Sequence, residues 1–249
     1  MVHARHHRGP RCDARGRPAH RGAPIDHRHL GALLAALEDV GPVVALRGGL
    51  RIRRAFPEMQ RPTRDIDLYC TWPNDAEFVR QQLRSRLVRH GFATQLRVDR
   101  TGPDSLRVTT SVPIDGAWRD VVVDLTFAWP EAIEWLGDVW GCPLSTVVAR
   151  KLGVVVERGP RAWRAKDLGD VWWTLRAGAV TPGAIDDAMR RDVGWERWWT
   201  GPGRAEFWRD EIAVGRWHRF VEHQHGVSAH LHDVVDDLNA RLRTLVQTS

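Results

Sequence analysis

From residue 26 onward the apolar positions fall into runs whose spacing changes twice along the chain. Leu30, Leu33, Leu34 and Leu37 recur at helical spacing after Asp26, a good N-cap residue, and the predicted helix stops near Gly41-Pro42. A short apolar run, Val43 to Leu46, predicts a buried strand ending at Gly48-Gly49, with helix or loop beyond. Asp65 to Cys70 (DIDLYC) alternates acidic and apolar positions and predicts a second strand. Asn74 to Arg89 then predicts a helix with Phe78, Leu83 and Leu87 inward. Three more strands are predicted at Phe92 to Val98, Leu106 to Val112 and Asp120 to Phe127, with turn signals at Gly102-Pro103 and Asp115-Gly116.

After Trp129-Pro130 the period becomes helical. Helices are predicted over Leu144 to Glu157, Ala165 to Leu175, Thr181 to Arg191 with Pro182 in its first turn, Ala205 to about Phe220, and Ala229 to Val246. The fold class expected is α/β (α+β): a mixed sheet with flanking helices over residues 25–135, then a helical C-terminal domain over 136–249. Residues 1–24 hold six arginines, four histidines and three prolines with almost nothing apolar, so burial cannot offset the entropy of ordering them. A disordered basic tail is expected there; a nucleic-acid-gripping arm and a start codon assigned too far upstream are the alternatives.

Composition narrows the function classes. Lys+Arg number 37 against 31 Asp+Glu, for a net charge of +6, which suits a polyanionic partner. Only Lys151 and Lys166 are lysines, so the arginine bias fits GC-rich coding as well as selection for binding. The 3 cysteines, Cys12, Cys70 and Cys142, form neither a disulfide framework nor a Cys-x-x-Cys metal motif, and a reduced, cytoplasmic protein is expected. No apolar run approaches the roughly 18 residues of a membrane span, and no membrane partner is expected.

Asp65 and Asp67 stand two apart on a predicted strand, so both carboxylates project from one face while Ile66 and Leu68 point into the core. Such a pair suits Mg²⁺, with Mn²⁺ as the alternative, because Mg²⁺ takes few carboxylate oxygens and completes its octahedron with water and substrate phosphates. A third metal carboxylate is expected from Asp124, deep in an apolar strand, with Asp120 as the fallback. A buried Asp must be met by metal or by an arginine. Gly48-Gly49 follows an apolar strand, where missing side chains let backbone N–H groups approach a phosphate.

Taken together, the apolar strand, Gly-Gly, a connecting segment and Asp-x-Asp on a second strand resemble the nucleotidyltransferase fold of the DNA polymerase β superfamily. More narrowly, Ala45-Leu46-Arg47-Gly48-Gly49, Arg61-Pro62-Thr63-Arg64-Asp65-Ile66-Asp67-Leu68, Arg150-Lys151-Leu152 and Arg164-Ala165-Lys166-Asp167-Leu168-Gly169-Asp170 resemble the successive motifs of AbiEii-type nucleotidyltransferase toxins. Those toxins are one half of AbiE-like and MenA/MenT toxin–antitoxin systems. The resemblance implies an enzyme that moves a nucleotide from a nucleoside triphosphate (NTP) donor to RNA, with the tRNA acceptor end leading, and a cognate antitoxin as partner. It places Gly48, Gly49, Arg64, Lys151 and Lys166 around the nucleotide. Asp65, Asp67, Lys151 and Asp167 become the catalytic set, with Asp170 behind it. Independently, a chain built on arginine keeps lysine only at Lys151 and Lys166, and an ammonium is not equivalent to a guanidinium at a phosphate.

Other signals carry less. Most of the 13 tryptophans are expected in the helical core, with Trp163 and Trp195, near Arg161, Arg164 and Arg197, as candidates for stacking on RNA bases. His218, His223, His225, His230 and His232 match no zinc spacing and are expected on a solvated helix end and loop. Ser145 and Thr146 are expected in a first helical turn, without the partners of a nucleophile. Two other functions remain open: modification of a small antibiotic-like hydroxyl, which would call for acidic acceptor walls, and non-catalytic binding of nucleic acid or antitoxin.

Overall fold

The computed structural model describes residues 44–58, 65–90, 96–114, 117–128, 132–137, 139–222 and 229–247. The basic tail, the helix expected after Asp26, Cys12, Arg64, the Asp115-Gly116 turn, His223 and His225 lie outside the described residues.

The first half builds a mixed sheet: β1 (Val44–Leu46), β2 (Asp65–Cys70), β3 (Leu96–Gly102), β4 (Ser105–Ile114), β5 (Ala117–Thr126), β6 (Glu134–Trp135) and β7 (Trp140–Gly141). These seven strands run in the order β3-β4-β5-β2-β1-β7-β6. The centre pairs β2 parallel with β5 and antiparallel with β1, so β2 is hydrogen-bonded on both sides. Its even positions, Ile66, Leu68 and Cys70, are buried with Leu106, Val108, Val121, Val123 and Leu125 under α2 (Ala76–Arg89). Its odd positions, Asp65, Asp67 and Tyr69, therefore share the opposite face. The helix α1 (Gly48–Ala55) starts directly after β1. In α2 the inward positions are Val79, Leu83 and Leu87; Phe78, expected inward, is half-buried and meets Trp72 edge-on at 6.3 Å. The helix begins at Ala76, just after the expected Asn74, because Asp75 caps it, accepting from the Phe78 N–H at 2.7 Å.

The second half is helical: α3 (Leu144–Ala162), α4 (Ala165–Arg176), α5 (Pro182–Asp192), α6 (Trp195–Thr200), a 3-10 turn (Ala205–Trp208), α7 (Glu211–Val221) and α8 (Leu231–Gln247). Val148, Leu152 and Val155 form one stripe of α3 and bury it against Leu168, Val171 and Leu175 of α4 and Ile185 and Met189 of α5. The run expected as one helix from Ala205 to Phe220 is divided, because Asp210 caps a new helix by accepting from the Ile212 N–H. A third cluster, Ala45, Ile52, Phe56, Tyr69, Cys142 and Val147, joins the opposite face of the sheet to the helical half. Among the described residues, no helix is long and apolar enough to cross a membrane.

Candidate active site

Where the two halves meet, a cleft is lined by Gly48, Gly49, Asp65, Asp67 and Asp124 on the sheet side and by Lys151, Lys166 and Asp167 on the helical side. Strand alternation places the acids. Asp65 and Asp67 project from the odd face of β2, and the parallel register sets Asp67 beside Asp124 of β5. On the other flank of β5, Arg107 of β4 is in register with Asp124.

Gly48 is glycine for two reasons. Its φ is +65°, in the left-handed region, and a Cβ would lie 2.8 Å from the Asp67 Cγ and collide with Oδ2. The start of α1 thus rests against the Asp67 carboxylate, and the Arg47 N–H donates to the Asp67 backbone carbonyl at 2.9 Å. Burial pushes the Asp67 carboxyl above its ordinary range; Arg47 and Lys151 oppose this, while Asp65 and Asp124 add to it. A carboxylate held in this way, beside two like charges, has the chemistry of a hard-cation ligand.

Asp124 is met by an arginine. Its Oδ1 accepts from Arg107 Nε at 2.7 Å and its Oδ2 from Arg107 Nη2 at 2.8 Å, a two-pronged pair. Among the described residues no group of three or more His, Cys, Asp or Glu side chains is gathered to hold a metal. On the sheet side of the cleft, the carboxylates without such a fork are the pair Asp65 and Asp67, which fits Mg²⁺, an ion commonly bound through one or two carboxylates plus substrate phosphates.

On the opposite wall, Lys151 of α3 is almost fully buried, and its Nζ lies 2.8 Å from Asp167 Oδ1 and 2.8 Å from Asp170 Oδ2. Arg164 Nε donates to the second Asp167 oxygen at 2.6 Å. Burial alone would raise the Asp167 carboxyl, but Lys151 and Arg164 outweigh it and hold the group below its ordinary value. Asp170 is fully buried behind this pair and outside the cleft lining. The network fixes the Lys151 ammonium at the cleft wall.

Several lining residues carry no role in the sequence reading: Arg47, Arg107, Arg150 and Tyr69. Tyr69, the sole tyrosine, is fully buried on the same face as Asp65 and Asp67. The Arg47 guanidinium lies 4.9 Å and that of Arg150 5.2 Å from its ring centre. The available signals were modest: Arg107 is the outward position between apolar Leu106 and Val108, and Arg150 precedes Lys151.

Trp163 cannot stack on a base. It is 1% exposed and packs edge-on against Trp208 at 4.9 Å. Trp195 is half-buried, stacked on Trp199 and donating to Asp186 at 2.6 Å, so its ring is engaged within the helical half. His218, His230 and His232 are exposed, and Ser145 and Thr146 sit in the first turn of α3. Cys70 and Cys142 are free and buried, each thiol pushed up to about 11 by that burial.

The chain matches the family described as Nucleotidyl transferase AbiEii toxin, Type IV TA system, over residues 32–234. No curated protein matches it significantly. JHP933 from Helicobacter pylori resembles it with a TM-score of 0.57 at 10% identity, over 90% of this chain and 94% of that one. A structure from H. pylori described as that of a candidate nucleotidyltransferase gives a TM-score of 0.57 at 11% identity, over 90% of this chain and 97% of that one. At such identities the likeness is one of fold.

Proposed function

Because the chain belongs to the AbiEii nucleotidyl transferase toxin family, we propose that it transfers a nucleotide from an NTP to an RNA acceptor, the tRNA 3′ end foremost, with Asp65 and Asp67 as its metal-binding pair. The observation that carries this reading is the facing of Asp65 and Asp67, backed by Gly48, across one cleft from Lys151 and Asp167.

Bound Mg²⁺, or Mn²⁺ in its place, would neutralise triphosphate charge and favour in-line attack by the acceptor hydroxyl. The chain's own residues do the rest. Asp65 and Asp67 hold the ion. Gly48 and Gly49 open the start of α1 to a phosphate, since the helix N-terminus favours negative charge. Lys151, positioned by Asp167 and Asp170, and Lys166 supply cationic contacts to the triphosphate. Asp124 shares the site through its register with Asp67 and is the third acid available once Arg107 turns to a phosphate. Arg64, next to Asp65 in sequence, is the remaining nucleotide contact proposed.

An RNA acceptor is favoured over a small cationic antibiotic by the cleft walls. Arg47, Arg107, Arg150, Arg164 and Lys166 accompany the acids, whereas a cationic acceptor calls for acidic walls alone. An antitoxin protein is proposed as the natural partner, following the family's toxin–antitoxin description.

The test is incubation with total tRNA, Mg²⁺ and each α-phosphate-labelled NTP in turn, beside Asp65→Ala and Lys151→Ala. Label on RNA from the wild type alone is expected. Equal labelling by Asp65→Ala would overturn the assignment.

A further inference from the structure

Arg107, Asp124 and Asp67 stand in one row across three neighbouring strands. Asp67 of β2 is in register with Asp124 of β5, and Asp124 with Arg107 of β4. Residues in register share a face of the sheet, on strands about 4.8 Å apart. All three line the cleft, and Asp65 lies two positions along from Asp67 on the same face. The acid in the middle of the row can therefore serve either neighbour: the metal pair on one side or the guanidinium on the other.

In this structure it serves the guanidinium. Both Asp124 oxygens accept from Arg107, at 2.7 Å and 2.8 Å, which turns the carboxylate toward β4. Register alone would gather Asp65, Asp67 and Asp124, yet among the described residues no three such acids are grouped to hold a metal. The charges of Asp65 and Asp67 also act on Arg107, behind its stronger bonds to Asp124. The fork is nonetheless easily opened. The Arg107 side chain is 46% exposed and that of Asp124 24%, and an ion pair so open to water is weak. Leu106 and Val108 on either side are buried in the core, so the backbone is fixed and the arginine side chain alone has to swing. A guanidinium fork fits phosphate as well as carboxylate, and a triphosphate carries more charge than Asp124.

We propose that Arg107 is a nucleotide-operated latch on the metal-binding acids. Without nucleotide it holds Asp124 back, and Asp65 and Asp67 alone take one divalent ion. When a triphosphate enters, Arg107 moves onto it, and the released Asp124 completes, with Asp67, the seat of a second ion. The inference rests on the transferase reading above and adds to it how the site is regulated. Two ions close together clamp both the attacking and the leaving oxygen of an in-line displacement. The latch confines that arrangement to a cleft already loaded with nucleotide, and until then Arg107 relieves the repulsion among the three acids.

The experiment is electron paramagnetic resonance of the full chain loaded with Mn²⁺, alone and with the α,β-methylene analogue of each NTP in turn. Two ions sharing Asp67 and Asp124 give a spin-coupled signal, which a single bound ion or a free Mn²⁺–nucleotide complex does not. Wild type should show a single bound ion with Mn²⁺ alone and the coupled pair once an analogue is added. Arg107→Ala should show the pair with Mn²⁺ alone, and Arg107→Ala combined with Asp124→Asn should return to the single ion. Arg107→Gln, which keeps most of the side-chain bulk, should match Arg107→Ala and guards against a variant that fails to fold. A pair in wild type without nucleotide, no pair in wild type with any analogue, or Arg107 variants that remain at a single ion would each overturn the proposal. The last result is the one a cross-strand ion pair serving stability alone would give. The two readings fail separately. Labelled transfer to RNA by a wild type that never shows the pair removes the latch and keeps the enzyme; a pair gated by nucleotide and by Arg107, with no transfer to RNA, does the reverse.

Discussion

At Gly48 the chain and the carboxylate of Asp67, the proposed metal ligand, compete for the same space. Its positive φ and its closeness to Asp67 together mean that Gly48→Ala should displace the Asp67 carboxylate while leaving the sheet intact. Transfer should fall by about a hundredfold or more, the scale of a 1 Å misplacement at a reacting centre, with little change in circular dichroism. The Lys151, Asp167 and Asp170 network makes a second prediction, of stability. Asp167 is held below its unfolded-state value, so its contribution is present above that value, near 3.9, and disappears as pH falls through the folded value. Asp167→Asn should therefore cost about 3–5 kcal/mol at neutral pH in urea unfolding, and its deficit should shrink as the pH drops below about 4. A deficit that grew on acidification would contradict the pairing. Asp65, Asp67 and Lys151 were legible as residues, because Asp-x-Asp on a strand and a rare lysine are local signals. Arg107 and Tyr69 were not, since their roles come from the β4–β5 register and from two arginines distant in sequence.

The elements show the same division between local and distant causes. β2 falls on the residues its alternation predicts, and α3 begins at Leu144 as its pattern predicts. The regular turns of α3 end just past Glu157, at Gly159, where φ is 66°, and a further turn from Pro160 to Ala162 follows that kink. The two-residue strands β6 and β7 have no readable period, and α6 is less than two turns long, half of it tryptophan, too short to show an apolar stripe. β3 is described from Leu96, and residues 92–95 of its apolar run lie outside the described residues. The helical half depends on the stripe of α3, and Leu152 at its centre is fully buried. Leu152→Ala should destabilise the protein by about 2–5 kcal/mol, measured as a shift in the denaturant midpoint at constant slope. Since Lys151 neighbours it on the same helix, transfer should weaken in parallel only when folded protein is lost. A full-strength midpoint would show that α3 packs elsewhere.

In the whole molecule, the cleft exists because two cores, one under the sheet and one among the helices, are joined by the small cluster around Ile52, Tyr69, Cys142 and Val147. Each core was legible from period alone; their junction was not, because it brings residues about a hundred positions apart into contact. That junction sets carboxylates on one wall against ammonium and guanidinium groups on the other, and the central claim is that Asp65 and Asp67 hold the metal through which an NTP is bound there. The direct measurement is calorimetric titration of an NTP with and without Mg²⁺, for wild type and Asp67→Asn, at about pH 8 and about pH 5. Burial raises the Asp67 carboxyl, so protons compete with metal as the pH falls. Mg²⁺-dependent binding by the wild type, weaker at the lower pH and lost in Asp67→Asn, is the predicted result. NTP binding that is indifferent to Mg²⁺, or that Asp67→Asn retains in full, would contradict the account.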